Sequence, residues 1–284
     1  MRTFYLKKSL IFRKILIILL ILVTGKFIYN EIKDITALKR HQSIRDYIYS
    51  VYMNSSGRFQ KSFQNSHNDQ EFRLSPDKME LCSTSSEGDS LIVAFVIIAP
   101  HLFEKRAQIR STWADKTHLD SSKLKLKCIF SLGLSQLPHI NEKIKQESNM
   151  WHDILQLNHF FDSYFNMTHK IMSSFQWVSK LRCSRIKFIM RINDDVVVNT
   201  FALTNFLTKQ QENNVQSFQM YGLKVSEAKV VRNKNSKFFI SQKEYKLDVY
   251  PDYMSGSVYI MTIDLAEQMS KLYGLFHFPP FSIW

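Results

Sequence analysis

The chain has 284 residues, of which 45% are apolar and 13% aromatic, and its formal net charge is +13 at pH 7. This composition excludes an intrinsically disordered protein, because disordered chains lack the apolar residues that a core needs. Residues 1–45 hold ten Lys and Arg against two acidic residues, which leaves the rest only mildly basic and argues against nucleic acid as a partner.

The first predicted element is an apolar segment near the N-terminus. Residues 15–25 have the sequence ILIILLILVTG, and apolar residues 27–29 extend this run if Lys26 snorkels. Basic residues precede the run and a polar stretch follows it, which favours a cytoplasmic tail of residues 1–14 and a signal anchor of residues 15–29. A cleavable signal peptide is the alternative, since Val23-Thr24-Gly25 offers small residues to a peptidase.

Residues 30–90 are polar and rich in Ser, Asn and Gln, which predicts a lumenal stem between membrane and domain. Two sequons, beginning at Asn54 and Asn166, follow the apolar segment and predict N-glycosylation at both asparagines. The three cysteines, Cys82, Cys128 and Cys183, allow at most one disulfide and match no zinc motif.

From residue 91 the pattern changes to alternating strands and helices. The continuous apolar run at residues 91–100 predicts a strand that is buried on both faces. Further strands are predicted at residues 126–131, 153–157 and 187–192, and helices at residues 104–113, 141–149, 164–181 and 201–211. The alternation predicts an open α/β sheet with flanking helices over residues 91–284, with ligands bound beyond the carboxyl ends of the strands.

The strand predicted at residues 187–192 leads directly into a polar triplet, Asn193-Asp194-Asp195. Carboxylate and amide oxygens are hard ligands that suit Mg²⁺ or Mn²⁺. Because Asn193 and Asp195 are two residues apart, they can turn to the same side and share one cation. The alternative is a solvated turn, in which Asn and Asp are common.

Six short motifs follow one another in the order found in a known enzyme family. They are RAQIRSTW at residues 106–113, DIL at 153–155, FFDSYFNMTHK at 160–170, Trp177 with Cys183, RINDDVVVN at 191–199 and YPDYMSGSVY at 250–259. Together they resemble the β-1,3-galactosyltransferase and N-acetylglucosaminyltransferase family, glycosyltransferase family 31. The resemblance extends from about Leu91 to Tyr273.

The resemblance implies a GT-A-like nucleotide-sugar-binding fold and a type II protein of the Golgi membrane. It implies inverting transfer of Gal, GlcNAc or GalNAc from a UDP-sugar to a glycan hydroxyl on a glycoprotein or glycolipid, with Mn²⁺ or alternatively Mg²⁺ as cofactor. Asp195 is implied as the principal metal ligand and Asn193 as a weaker one, since an amide replaces the family's first carboxylate. The implied donor-binding residues are Arg106, Arg110, Asp153, Arg191 and Asp194.

Other roles stay open for several of these residues. The alternative for Arg106 and Arg110 is a surface pair beside acidic neighbours at positions 104 and 115, and the alternative for Asp153 is a buried structural carboxylate. Trp113 and Trp177 are predicted to be core residues, and residues 160–170 are predicted to have a structural role.

The chain departs from the family pattern at its C-terminal end. The family continues to an E-D-V motif, whose Asp is the usual candidate for the general base, whereas residues 268–284 contain no acidic side chain. We therefore identify no catalytic base and expect a C-terminally incomplete transferase domain; His277 is the one alternative base. Two functions stay open: an active transferase, or an inactive membrane-anchored homologue that binds nucleotide-sugar or glycan as a partner protein. The oligomeric state is not predicted.

Overall fold

The computed structural model describes residues 72–82, 90–115, 124–212, 217–236 and 238–273. The predicted tail, membrane segment and most of the stem lie outside these residues, as do Asn54 and residues 274–284. Within the described ranges, no helix combines the length and apolar character that a membrane span requires.

Strands and helices alternate along the described chain. In order they are β1 (Phe72–Leu74), α1 (Lys78–Cys82), β2 (Ser90–Ile97), α2 (Phe103–Arg110), β3 (Leu124–Leu134), α3 (Pro138–Trp151), β4 (Ile154–Phe161), a 3₁₀ turn (Tyr164–Asn166), α4 (Met167–Leu181), β5 (Ile186–Asn193), α5 (Thr200–Glu212), β6 (Met220–Val225), β7 (Tyr253–Thr262) and α6 (Ile263–Tyr273). The alternation predicted between residues 91 and 211 is therefore confirmed.

One seven-stranded sheet joins these strands in the order β1-β4-β3-β2-β5-β7-β6. The four inner strands β4, β3, β2 and β5 run parallel to one another, whereas β1, β7 and β6 are antiparallel to their neighbours. Parallel strands end at the same edge, so the carboxyl ends of β2, β3 and β5 lie together. The predicted mixed α/β sheet is confirmed, and its topology is compatible with a GT-A-like fold.

Helices cover both faces of the sheet. On one face, Phe175 and Trp177 of α4 pack with Phe95 of β2 at ring-centroid distances of 6.5 and 6.1 Å. The other face is covered by side chains of α2, α3 and α5, with Trp113 just beyond α2. Both tryptophans are 6% exposed, which confirms their predicted place in the core.

Two short elements lie within the range predicted as stem. Strand β1 pairs with β4 through Phe72 and Leu157, and Leu81 of α1 is buried in the core. The folded part of the chain therefore begins before residue 91. These elements have only three and five residues, too few for a recognisable hydrophobic period.

Gly133, near the end of β3, lies where two backbone segments approach closely. A Cβ atom there would be 2.9 Å from Cε2 of Phe160 and 3.0 Å from the backbone N and Cα of Asp162. Since that backbone cannot give way cheaply, we expect Gly133→Ala to lower the free energy of unfolding by about 1–3 kcal/mol in chemical denaturation. Gly222→Ala is the comparison and should cost less, because its closest contact, Cβ of Tyr259 at 3.1 Å, is tight but is not backbone. An equal loss in both variants would contradict the explanation.

The thiols of Cys82 and Cys183 share a hydrogen bond, and burial together with this bond raises the pKa of Cys82 from 9.0 to about 12. We expect iodoacetamide to alkylate Cys82 of the reduced, folded chain at pH 8 at least about a hundredfold more slowly than in the same chain unfolded in urea. The folded rate should still rise above about pH 10, where the unfolded rate levels off, because only the thiolate reacts. Peptide mass spectrometry measures both rates, and similar values would refute the raised pKa.

Candidate active site

Lys170 ties together the carboxyl ends of two parallel strands. Its Nζ donates to the carbonyl oxygen of Ile98, just beyond β2, at 3.1 Å and pairs with Oδ2 of Asp162 at 2.5 Å. That same carboxylate oxygen accepts a hydrogen bond from the backbone N–H of Gly133 in β3 at 2.7 Å. Residues 160–170 therefore connect strand ends to a helix, as their predicted structural role requires.

The cation of Lys170 is buried, with 3% of the residue exposed. Burial lowers the pKa of Lys170, while the nearby carboxylates of Asp162 and Asp194 act in the opposite direction. The ion pair with Asp162 places the Lys170 ammonium group beside the metal triplet predicted from the sequence, with Asp194 among its charged neighbours.

The triplet Asn193-Asp194-Asp195 lies at the end of β5 and in the turn that follows. Oδ2 of Asp194 pairs with Nζ of Lys105 from α2 at 3.2 Å, whereas Asp195 is exposed. No group of three or more His, Cys, Asp or Glu side chains suited to a metal occurs among the described residues. The donor set fits a hard cation that takes its remaining oxygens from water or a bound phosphate, as Mg²⁺ commonly does.

Arg191, two residues before the triplet, has donors without partners. The residue is 2% exposed, and its Nη2 contacts the Met167 sulfur at 3.5 Å. Its Nε and Nη1 make no hydrogen bond to any residue within the described ranges. Burial lowers the pKa of Arg191, and Tyr259 and Asp195 oppose that shift. Unpaired buried donors are costly, so this cation is suited to an anion that enters the site.

Arg106 and Arg110 of α2 form a buried cluster with Glu147 and Asp153, called the arginine cluster below. Arg106 contacts the Glu147 carboxylate through Nε at 3.0 Å and Nη2 at 2.6 Å. Arg110 binds Asp153 through two parallel hydrogen bonds of 2.7 and 2.8 Å and reaches Glu147 with Nη1 at 2.7 Å. The alternative of a surface pair is wrong, since Arg106 is 0% exposed.

The arginine cluster holds the backbone that follows β2. Nη1 of Arg106 donates to the carbonyl oxygens of Ala99 and Pro100 at 3.3 and 3.1 Å. All three nitrogens of the Arg106 guanidinium are already paired with Glu147 or with these carbonyls, so Arg106 acts on the sheet edge through the carbonyls and not by binding a ligand itself. Asp153 and Arg110 are also largely enclosed, with 11% and 9% of their side chains exposed.

Glu147, which joins both arginines, was not predicted from the sequence. It belongs to the helix predicted at residues 141–149, and its one available signal is its position next to the buried face formed by Ile144 and Ser148. A charge on such a face predicts a buried partner without identifying it, because the partner arginines are about 40 residues away in sequence.

Asn166, the sequon residue within the described ranges, lies just before α4. Its Nδ2 donates to the carbonyl oxygen of Phe161 at 2.9 Å. Glycosylation at Asn166 stays a prediction, and so does glycosylation at Asn54, which lies outside the described residues.

Comparison with known proteins gives one consistent result. A family model described as Galactosyltransferase matches residues 104–281, more than half of the chain. Human lactosylceramide 1,3-N-acetyl-beta-D-glucosaminyltransferase is 30% identical over 185 residues, which are 64% of this chain and 48% of that protein. Its mouse counterpart is 27% identical over 232 residues, 80% of this chain and 60% of that protein.

A second type of transferase is equally similar. Mouse beta-1,3-galactosyltransferase 1 is 31% identical over 170 residues, which cover 60% of this chain and 50% of that protein. The chain thus spans about half the length of the curated relatives that it matches.

Proposed function

The chain belongs to the galactosyltransferase family, and from that premise we propose that it is a β-1,3-glycosyltransferase acting on a UDP-sugar donor and a glycan hydroxyl. The observation that carries this proposal is the placement of Asn193, Asp194 and Asp195 beside the buried, unpaired donors of Arg191. Carboxylates at a strand end can bind a divalent metal, and the neighbouring cation can bind the diphosphate of a nucleotide held by that metal.

The proposed cofactor is Mn²⁺, with Mg²⁺ as an alternative, held chiefly by Asp195 with the amide oxygen of Asn193. When bound, such a cation neutralises the charge that develops on the departing diphosphate. The chain's own contribution is a set of fixed cations at the same edge: Arg191 offers free donors, and Lys105 is oriented by Asp194 at 3.2 Å.

Donor binding by Arg106, Arg110 and Asp153 is proposed to be indirect. Arg106 fixes the backbone after β2, which borders the predicted nucleotide site, through the carbonyl oxygens of Ala99 and Pro100. Arg110 shares Glu147 with Arg106 and is itself held by Asp153. This fixed backbone would favour donor binding, because a segment that is already ordered loses less conformational entropy when the ligand binds. We assign no described residue as the general base.

The relatives leave the donor sugar open between galactose and an N-acetylhexosamine, because both types of transferase match at about 30% identity. The acceptor is proposed to be a glycan on a glycolipid or glycoprotein. A type II placement in the Golgi membrane, anchored by residues 15–29, is supported by the basic, apolar and polar segments of the sequence.

The test uses the full chain, purified in detergent from a secretory host. UDP-galactose, UDP-N-acetylglucosamine and UDP-N-acetylgalactosamine are offered separately with Mn²⁺, and UDP release is measured with and without lactose-terminated or N-acetyllactosamine-terminated glycans. We expect one donor to be hydrolysed slowly and to be consumed faster when an acceptor is present. Donor binding without any UDP release would instead support the inactive homologue.

A further inference from the structure

A cavity of about 290 Å³ lies among aromatic side chains and is called the tyrosine cavity here. Its walls include Tyr164, Phe238, Tyr250, Tyr253, Ser255 and Gly256. The volume is at the lower end of the range for small-molecule sites, so it suits one small ligand or one part of a larger ligand.

The tyrosine cavity lies at the same sheet edge as the metal triplet. Strand β7 runs antiparallel to β5, and the pairing between them reaches Ile192 opposite Val258. Ser255 and Gly256 precede Val258 and therefore continue past the end of β5, towards the level of Asp194 and Asp195. Tyr164 follows the carboxyl end of β4, so it reaches the cavity from the same edge.

One arginine organises the aromatic wall formed by the segment between β6 and β7. Arg232 donates to the carbonyl oxygens of Ile240, Tyr245 and Leu247, each at 2.8 Å. The backbone N–H of Tyr250 donates to the carbonyl of Ala228 at 2.9 Å. These bonds fix the segment before any ligand arrives.

The aromatic rings in this wall pack against one another. The rings of Tyr245 and Tyr250 are 5.1 Å apart, and those of Tyr250 and Tyr253 are 6.4 Å apart. Such contacts hold in place the rings of Tyr250 and Tyr253, which line the cavity together with several aliphatic side chains.

We propose that the tyrosine cavity binds a hexopyranose ring of one of the two sugar substrates. A pyranose has one face of C–H bonds, which packs on an aromatic ring, and a rim of hydroxyl groups. The lining residues Tyr250, Tyr253 and Ser255 carry hydroxyl groups, and Gly256 adds backbone groups, which are the donors and acceptors that such a rim requires. The inference rests on the proposed function, which requires a sugar ring beside the diphosphate site.

Direct binding is tested first, with the full chain in detergent and saturation-transfer NMR. The probes are methyl β-D-galactopyranoside, methyl N-acetyl-β-D-glucosaminide and the three UDP-sugars. We expect Tyr250→Leu, which keeps an apolar side chain but removes the ring, to weaken binding of at least one probe by roughly tenfold. Tyr250→Phe should retain most of the binding. Phe218→Ala, an exposed position outside the cavity, is the control and should change nothing.

Steady-state kinetics then show whether the bound sugar ring belongs to the donor or to the acceptor. If the acceptor ring occupies the cavity, Tyr250→Leu raises the KM for acceptor and leaves unchanged the KM for UDP-sugar in hydrolysis without acceptor. If the donor ring occupies it, the KM for UDP-sugar rises instead. Unchanged probe binding in a folded Tyr250→Leu variant would overturn the proposal. The NMR measurement does not depend on turnover. If the unsubstituted chain binds glycosides but releases no UDP, the proposed activity is contradicted and the assignment of the cavity is not.

Discussion

Replacing Glu147 by alanine is expected to lower the free energy of unfolding by about 3–5 kcal/mol, because it removes one partner from a buried charged network. The Glu147 carboxylate is the shared acceptor for Arg106 and Arg110, whose side chains are 0% and 9% exposed. Without it, Arg106 keeps two backbone carbonyls as its acceptors among the described residues and remains a buried cation. A loss of this size is a large share of the stability of an ordinary domain, and urea denaturation followed by circular dichroism measures it.

Glu142→Ala is the matched control for this prediction. Glu142 lies on the same helix α3 and also pairs with an arginine, Arg73, at 2.6 Å, but its side chain is 62% exposed. Exposed pairs contribute at most about 1 kcal/mol, so this variant should be nearly as stable as the unsubstituted chain. Similar losses in both variants would mean that helix α3, and not the buried charge, determines the effect.

The sheet and the position of the triplet at its edge could be predicted because both depend on patterns that are local in sequence. The apolar run of β2 is long enough to identify a fully buried strand, and the alternation after it requires parallel neighbours. Once β5 was recognised, the position of Asn193, Asp194 and Asp195 followed, because polar residues after a parallel strand lie at its carboxyl end.

The partners of charged residues could not be predicted in the same way. Arg106 and Arg110 carry the same charge and lie one turn apart whether they form a surface pair or a buried cluster. The two cases are distinguished by Glu147, which approaches from another helix. The unpaired donors of Arg191 are likewise a property of packing. Local sequence determines which charges are present, but tertiary contacts determine whether each charge faces a carboxylate, a carbonyl or a ligand.

The part of the sheet beyond β5 could not be predicted from the sequence either. Strands β6 and β7 have mixed burial, and their longest apolar run is the four residues 258–261, so they lack the long run that identified β2. The tyrosine cavity depends on the segment between them, which is held by Arg232 and short backbone pairs such as Lys229 with Val249. Irregular segments of this kind have no period in sequence.

The triplet itself provides the second prediction with a large expected effect. If the proposed activity is correct, Asp195→Asn should reduce Mn²⁺-dependent UDP release by about a hundredfold or more, since it removes the charge that holds the cation beside the diphosphate. Asn193→Asp should act in the opposite direction and lower the Mn²⁺ concentration needed for half-maximal rate, because it adds a second carboxylate to the proposed ligand set. Asp77→Asn, at the start of distant helix α1, is the control and should leave both quantities unchanged, since Asn also caps a helix.

Direct Mn²⁺ titration by electron paramagnetic resonance, in the presence of UDP, separates loss of metal binding from loss of folding or turnover. We expect the affinity for Mn²⁺ to fall in Asp195→Asn and to rise in Asn193→Asp, with the melting temperature of each metal-free variant close to that of the unsubstituted chain, because Asp195 is exposed and Asn193 is only half-buried. Equal Mn²⁺ affinity in all three chains would remove Asp195 from the metal site. Neither substitution changes the size of the side chain appreciably, so only the charge at the end of β5 differs. A purely structural role would therefore not make the Mn²⁺ affinity fall in one variant and rise in the other.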